Sequence, residues 1–417
     1  MAELGHTVVG IDVDARKIQS LSSGRAPFYE PGLPEILQSA LASGRLTFTT
    51  SLEAARGSDV HFIAVGTPQR AETGAADMTY VDAAVAALLP VLHAGDLVVG
   101  KSTVPVGTAS RLAEMIEPTG ARLAWNPEFL REGFAVQDTM SPDRLVYGVG
   151  QGDAASVAVL DDVYQNAIDR GTPRVVTNFA TAELVKVSAN AFLATKISFI
   201  NAMAEVAEAT GADVTQLADA IGYDARIGRR FLNSGLGFGG GCLPKDIRAF
   251  MARADELGVG QSLQFLREVD AINLRRRDRM FDLAREMCGG TLDGKRVAVL
   301  GLAFKPDSDD VRDSPSLDVA SRLVAAGAIV KATDPEAIET SRRINPDLDY
   351  VDSAEEAAAG ADAVLVLTEW KHYRDLLPSS LGPVVARRVI LDGRNCLDAG
   401  VWRAAGWTYR SLGTPAA

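Results

Sequence analysis

The sequence predicts an α/β chain in which two doubly wound sheet domains are joined by an all-helical middle. Three observations predict it. Short runs rich in Val, Ile and Leu alternate with helical patterns through the first part of the chain. The alternation stops for two long helical stretches, and it resumes after Gly289-Gly290. Buried strands that alternate with helices are the signature of a mostly parallel sheet covered on both faces.

In chain order, Val8 to Asp12, Val60 to Val65, Leu97 to Lys101, Leu145 to Val149 and Arg174 to Val176 read as strands. Thr79 to Leu92 and Thr108 to Glu117 read as helices between them. Thr181 to Thr210 contains no Pro or Gly and reads as one long helix. Ser262 to Met287 reads as a second, charged on one face. This middle is expected to act as spacer and oligomer interface; a helical insertion within one domain is the alternative. Arg296 to Leu300, Ile329 to Thr333, Ala363 to Leu367 and Val389 to Leu391 then read as strands, and Ser316 to Ala326 and Ala354 to Ala359 as helices. The expected domains are 1–178, 179–288 and 289–417.

Composition narrows the function classes. Of 417 residues, 47% are hydrophobic and 23% charged, which suits a globular protein with a sizeable core. A net charge of -12 gives no general attraction for nucleic acid or an anionic membrane. Three cysteines argue against a disulfide framework and for a reducing compartment. None of the four histidines pairs with a cysteine at metal spacing, so no metal is expected. No apolar run approaches the ~18 residues of a membrane span. The N-terminus has no charged segment followed by an apolar one, so the cytoplasm is the expected location.

Six motifs carry chemistry. Asp12 closes the first strand, where an acid in a dinucleotide-binding unit bonds the adenosine ribose; capping of the next helix by Asp12 or Asp14 is the alternative. A glycine fingerprint belongs about 20 residues before such an acid, but only MAELGHTVVGI precedes it. The first strand and phosphate loop are therefore expected to be missing. Gly235, Gly237 and Gly240 form a GxGxxG, but no strand precedes it. VGTP (Val65 to Pro68) and KSTVPVGT (Lys101 to Thr108) follow strands, where ligands lie in open α/β sheets. NPEFLREG (Asn126 to Gly133) sets Glu128 and Glu132 four residues apart, a spacing for paired acids or for a solvated surface. Glu183, Lys186 and Asn190 share a helix face among apolar neighbours. They could stabilise an oxyanion; a snorkelling lysine is the alternative.

GLGFGGGCLPKD (Gly235 to Asp246) is the most informative. Five glycines in seven residues let the backbone approach a ligand closely. Cys242 follows at once, near a helix N-terminus and close to Lys245, two features that favour the thiolate. Asp246 stands ready to orient a water or act as base. Cys288 and Cys396 read as packing residues. Finally, GLAFKPDSDDVRDSPS (Gly301 to Ser316) places Lys305 and Arg312 before a helix capped near Ser314-Pro315, a setting for a phosphate.

In this order, and with FYEPGL (Phe28 to Leu33), DARIGRRFLNSG (Asp224 to Gly235) and DGRN (Asp392 to Asn395), the motifs resemble the UDP-glucose/GDP-mannose dehydrogenase family over about residues 1 to 412. The loops look most like its UDP-glucose branch. The resemblance implies two Rossmann-like domains, the first lacking its opening strand and glycine loop, and a homodimer or higher homo-oligomer. It implies NAD-dependent oxidation of UDP-glucose to UDP-glucuronate for polysaccharide biosynthesis. Cys242 would form a thiohemiacetal and then a thioester. Lys186 and Asn190 match the oxyanion pair, and Thr103, Glu128 and Asp246 the acid–base and water-organising residues. Asp12, Lys17, Thr67, Thr103, Glu132, Lys245 and Arg312 match NAD contacts. Glu128, Phe129, Leu130, Lys186, Asn190, Phe231, Leu232, Asn233, Ser234, Gly235 and Gly239 match sugar-binding positions. Arg226 matches an arginine that crosses the dimer, and Lys305 and Arg394 match contacts of the last domain. Gly241 stands where the family usually has Ser. The alternatives are an impaired nucleotide-sugar-binding protein, a dehydrogenase of the GDP-mannose type, and a cysteine transferase, which would need a histidine beside Cys242.

Overall fold

The structure, a computed structural model, describes residues 1–415. It divides into two compact units, Met1–Ala189 with Arg248–Gly260, and Asn190–Ile247 with Gln261–Ala417.

The first unit carries strands β1 (Val8–Ile11), β2 (Leu46–Thr49), β3 (Val60–Ile63), β4 (Leu97–Gly100), β5 (Arg122–Trp125), β6 (Leu145–Val149) and β7 (Arg174–Thr177). β1 and β2 form a parallel pair of their own, and β3 to β7 form a five-stranded sheet in sequence order. Among the described residues no ladder joins the two sheets. The residues ahead of β1 form a short 3-10 turn, Ala2–Leu4.

One pair departs from the parallel sheet that the alternation predicts: β5 and β6 run antiparallel. The intervening chain holds one helix of six residues, Ala135–Met140, which rises only about 9 Å. That is too little to carry the chain back across the sheet for a parallel partner. The chain turns instead where β5 ends. The loops after the parallel strands β3, β4 and β5 therefore gather at one end of the sheet.

β4 lies between β3 and β5 in that sheet, with all four of its residues buried. Its last residue, Gly100, pairs with Trp125 of β5. The indole lies where a Cβ on Gly100 would stand, only 2.0 Å from that position. Trp125 itself is 1% exposed, so it has nowhere to go.

The second unit carries a six-stranded, all-parallel sheet of order β10-β9-β8-β11-β12-β13. Its strands are β8 (Arg296–Leu300), β9 (Ile329–Thr333), β10 (Asp349–Tyr350), β11 (Ala363–Val366), β12 (Val389–Asp392) and β13 (Thr408–Ser411). The order reverses between β8 and β11. Ligands of such sheets bind outside the strand ends at that reversal. The loop that opens at Gly301 follows β8 and ends at Ser314, whose hydroxyl caps the helix Pro315–Ala325. The helices Phe179–Thr210 and Phe265–Met287 form as the Pro- and Gly-free stretches predict. Among the described residues no helix is long and apolar enough to cross a membrane.

Gly100→Ala should drive its methyl into the Trp125 ring. We expect a loss of about 1–3 kcal/mol, read as a lower denaturant midpoint with an unchanged slope.

Candidate active site

In the first unit the strand-end loops are stitched to one another. Ser102 Oγ donates to the Val65 carbonyl at 2.6 Å, and Thr67 Oγ1 to the Thr103 carbonyl at 2.9 Å. Gly107, at a φ of 99°, begins the helix Thr108–Ile116. Glu183, 2% exposed, caps that helix by accepting from the Gly107 and Ala109 amides at 2.8 and 2.7 Å. Burial pushes the Glu183 carboxyl up, against those amides and the Arg253 guanidinium.

Lys186 lies one turn beyond Glu183 in the helix Phe179–Thr210. It is 5% exposed and does not snorkel. Its ammonium sits 3.1 Å from Glu128 Oε1 and 5.5 Å from the centre of the Phe129 ring. The other Glu128 oxygen accepts from the Leu130 amide at 2.5 Å. The Asn126–Gly133 segment is not helical. Glu128 and Glu132 therefore do not share a helix face, and the partner of Glu128 is a lysine rather than a second acid. Arg144 stacks on Phe129 at 3.7 Å.

At the end of β1, Asp14 accepts from the Arg16 and Lys17 amides and is the helix cap. Asp12 is thus left for another task. Its carboxylate takes the Lys17 ammonium at 2.6 Å. Burial raises the Asp12 pKa, but Lys17 and the Asp14 and Val13 amides outweigh it and hold the carboxyl below its usual range.

In the second unit, exposed Cys242 directly precedes the helix Leu243–Glu256. Asp246 is 2% exposed. It accepts from Asn190 Nδ2 at 2.6 Å and from Lys245 Nζ at 2.5 Å. The loop before Cys242 is held on every side. Gly235 N donates to Asn201 Oδ1 at 2.9 Å, and Arg276 Nε donates to the Gly235 carbonyl at 3.3 Å. Asn273 takes the Phe238 N–H at 2.7 Å and returns a bond to its carbonyl at 2.9 Å. A Cβ on Gly237 would stand 2.1 Å from Asn273 Oδ1, and one on Gly239 2.3 Å from the Asp313 carbonyl. These glycines are required by protein packed against the loop, and not chiefly by a ligand. Gly241 has the Arg312 guanidinium 2.3 Å from where the family's serine would place its Cβ.

The other expected residues are more scattered. Arg394 donates to the Leu367, Gly237 and Phe304 carbonyls, so much of its guanidinium fastens loops. Asn233 accepts from Arg229, and Ser234 from Asn395. Leu232 is core, and Phe231 is strained, at a φ of 65°. Arg226 is 88% exposed and pairs with Asp224 in its own loop. Lys305 lies over the Phe304 ring, and Arg312 pairs with Asp310. Burial pushes the Cys288 and Cys396 thiols up, and both pack.

Residue reading alone missed Asn201, Asn273, Arg276 and Glu30. Glu30 lies in FYEPGL and accepts from the Gly133 and Ala135 amides at 2.7 Å each, which anchors the end of NPEFLREG. The signal for Asn273 and Arg276 was a pair of polar residues three apart in a helix that otherwise needed apolar ones inward. Both are fully buried.

Mostly parallel sheets with ligand-side strand-end loops are the class of fold that binds nucleotides. The particular kind of protein follows from comparison with known proteins. Residues 1–168 match the NAD binding domain of the UDP-glucose/GDP-mannose dehydrogenase family, 180–275 its central domain and 298–399 its UDP binding domain. The chain belongs to that family. It is 41% identical to the UDP-glucose 6-dehydrogenase of Rhizobium meliloti over 99% of this chain and 95% of that protein. It is also 41% identical to UDP-glucose 6-dehydrogenase TuaD of Bacillus subtilis, over 100% of this chain and 90% of that protein. A solved UDP-glucose dehydrogenase from Pyrobaculum islandicum superposes with a TM-score of 0.87 at 40% identity, covering 95% of this chain and 90% of that one.

Asn273→Ala should leave the Phe238 N–H and carbonyl unpaired. We expect a loss of about 1–3 kcal/mol in thermal or denaturant unfolding, and faster proteolysis within Gly235–Cys242.

Proposed function

We propose that this chain oxidises the C6 alcohol of UDP-glucose to the carboxylate of UDP-glucuronate, with Cys242 holding the intermediate. The observation that carries the reading is the pairing of an exposed Cys242 at a helix start with a buried Asp246 bonded to Asn190. NAD, when bound, accepts a hydride at each of the two oxidations.

The chain's own residues do the rest. Asp12, ionised and free of capping duty, receives the ribose hydroxyls, with Lys17 beside it. Thr67, Thr103, Glu132, Lys245 and Arg312 are further cofactor contacts in this reading. After the first oxidation the Cys242 sulfur adds to the C6 aldehyde and gives a thiohemiacetal, whose oxyanion falls to Lys186 and Asn190. Loss of the second hydride leaves a thioester. Water then adds to that carbonyl, the C–S bond breaks, and the carboxylate leaves with the thiol restored. Glu128 sets the position of Lys186 through its 3.1 Å contact and organises water with Thr103. Asp246 takes the proton of the attacking water. Phe129, Leu130 and Phe231 to Gly235 with Gly239 line the sugar. Lys305, Arg394 and the reversal between β8 and β11 take the UDP portion.

The active species in this proposal is a homodimer. Phe192, Phe199 and Val206 recur every seven residues on one helix and are 67%, 49% and 53% exposed. A stripe of that kind calls for a second copy, to which Arg226 would reach. The three cysteines, none of them in a disulfide, suit a reducing cytoplasm.

UDP-glucose and NAD should yield about two NADH per sugar. Cys242→Ser should lower turnover by more than about a thousandfold and stop short of free UDP-glucuronate. Normal turnover in that variant would refute the assignment of Cys242. Absence of NADH from the wild-type chain would refute the activity.

A further inference from the structure

Lys101 follows β4 and has no task in the reaction above. Its ammonium donates to Asn126 Oδ1 at 3.0 Å and to the Tyr164 hydroxyl at 3.2 Å. That hydroxyl donates to the same Asn126 oxygen at 2.6 Å, and Asn126 Nδ2 donates to the Val146 carbonyl at 2.9 Å. Asn126 and Tyr164 are buried. Lys101 as a whole keeps some surface, but packing around its amine strips it of water. Its two hydrogen bonds need only two N–H groups, so both survive loss of its proton.

No described carboxylate pairs with Lys101. The charged groups that face it are Glu128 and Lys186. Burial pushes the amine down to about 8, the Glu128 carboxylate opposes this, and the like charge of Lys186 adds to it. Burial raises the Tyr164 hydroxyl, which keeps its proton throughout this range. Asn126 leads through Pro127 directly into Glu128, whose carboxylate holds Lys186. The bonds that Lys101 makes therefore end, two residues on, at the pair that the dehydrogenase reading places beside the reacting carbon.

We propose that Lys101 is a positioning residue for the Glu128–Lys186 pair: it pins the Asn126–Glu128 turn and places its own charge beside the pair. This rests on the dehydrogenase reading. A charged Lys101 attracts the Glu128 carboxylate and repels the Lys186 ammonium, and a neutral Lys101 does neither. The field at the pair that meets the oxyanion thereby changes with the charge on Lys101.

The test is a melting series from pH 7 to pH 10 with wild type, Lys101→Met and Glu128→Gln, beside pH profiles of NADH formation. A lysine whose folded pKa lies below its unfolded value of about 10.4 weakens the fold fully below the folded pKa, and the handicap fades as pH rises toward the unfolded one. Wild type should therefore gain on Lys101→Met by about 5 °C across the series. In Glu128→Gln the rise should begin at lower pH, since the carboxylate that favours the ammonium is gone. In turnover, wild-type kcat should bend near pH 8. Lys101→Met should lack the bend and lose about tenfold in kcat, with KM for NAD within about twofold. Lys101→Gln, uncharged but able to hydrogen-bond, covers the case in which methionine does not fold; it should also lack the bend while recovering part of kcat. A midpoint difference flat with pH, with an unchanged kcat profile, overturns the proposal. If wild type forms no NADH, the functional reading falls instead, and the Glu128→Gln melting shift still decides whether Lys101 and Glu128 are coupled.

Discussion

A polar side chain taken out of water must find a partner inside, and the helix Phe179–Thr210 carries Glu183, Lys186 and Asn190 among its buried polar side chains. Within the first unit, Glu183 is satisfied by the amides at Gly107 and Ala109, and Lys186 by Glu128. Within the second, Asn190 is satisfied by Asp246. Glu128 belongs to a loop with no regular structure of its own, and Ala109 and Asp246 lie in the first turns of helices that such loops lead into. The loops are therefore shaped by what the helix demands. A buried Lys186 without Glu128, or a buried Asp246 without Asn190 and Lys245, would be strongly unfavourable. The residues that would do chemistry are the same ones that hold the loops in place.

The glycine-rich loop is shaped by a related demand. Its backbone N–H and C=O groups are buried, and side chains from two helices meet them. Asn201 takes the Gly235 amide, Asn273 brackets Phe238, and Arg276 takes the Gly235 carbonyl. Arg276 is itself balanced by Glu208, 3.3 Å away, which also takes the Arg279 guanidinium. A chain of paired charges thus supports the segment that ends at Cys242. Support of this kind keeps the thiol's approach direction fixed with no ligand bound.

Much of the fold was legible in the sequence because its strands are continuous apolar runs. β6, β8 and β9 lie where the runs of Val, Ile and Leu begin and end. β2, LTFT, was not legible: it is half-exposed, and its Thr residues break the apolar run. β5 was masked by Arg122 and by its ending in a Trp. The antiparallel turn after β5 depends on a helix too short to be seen as a failed crossover. In the site, Cys242, Lys186 and Asn190 stood out because a reactive or charged group interrupts a glycine-rich or apolar context. Glu30 and Asn273 did not, since a single acid in a loop or a single amide in a helix has many ordinary uses. Only their distant partners reveal what they do, and sequence order does not bring those partners together.

The three thiols are not equivalent to a reagent in solution. Cys288 is buried and Cys396 partly so, and burial makes both reluctant to ionise. Cys242 alone is exposed. Small electrophiles and peroxides therefore meet one sulfur first, and that sulfur begins a helix. On the proposed mechanism such a molecule is its own active-centre counter: one equivalent of an alkylating agent per chain marks the intact centres, and a preparation aged in air declares its damage as missing equivalents.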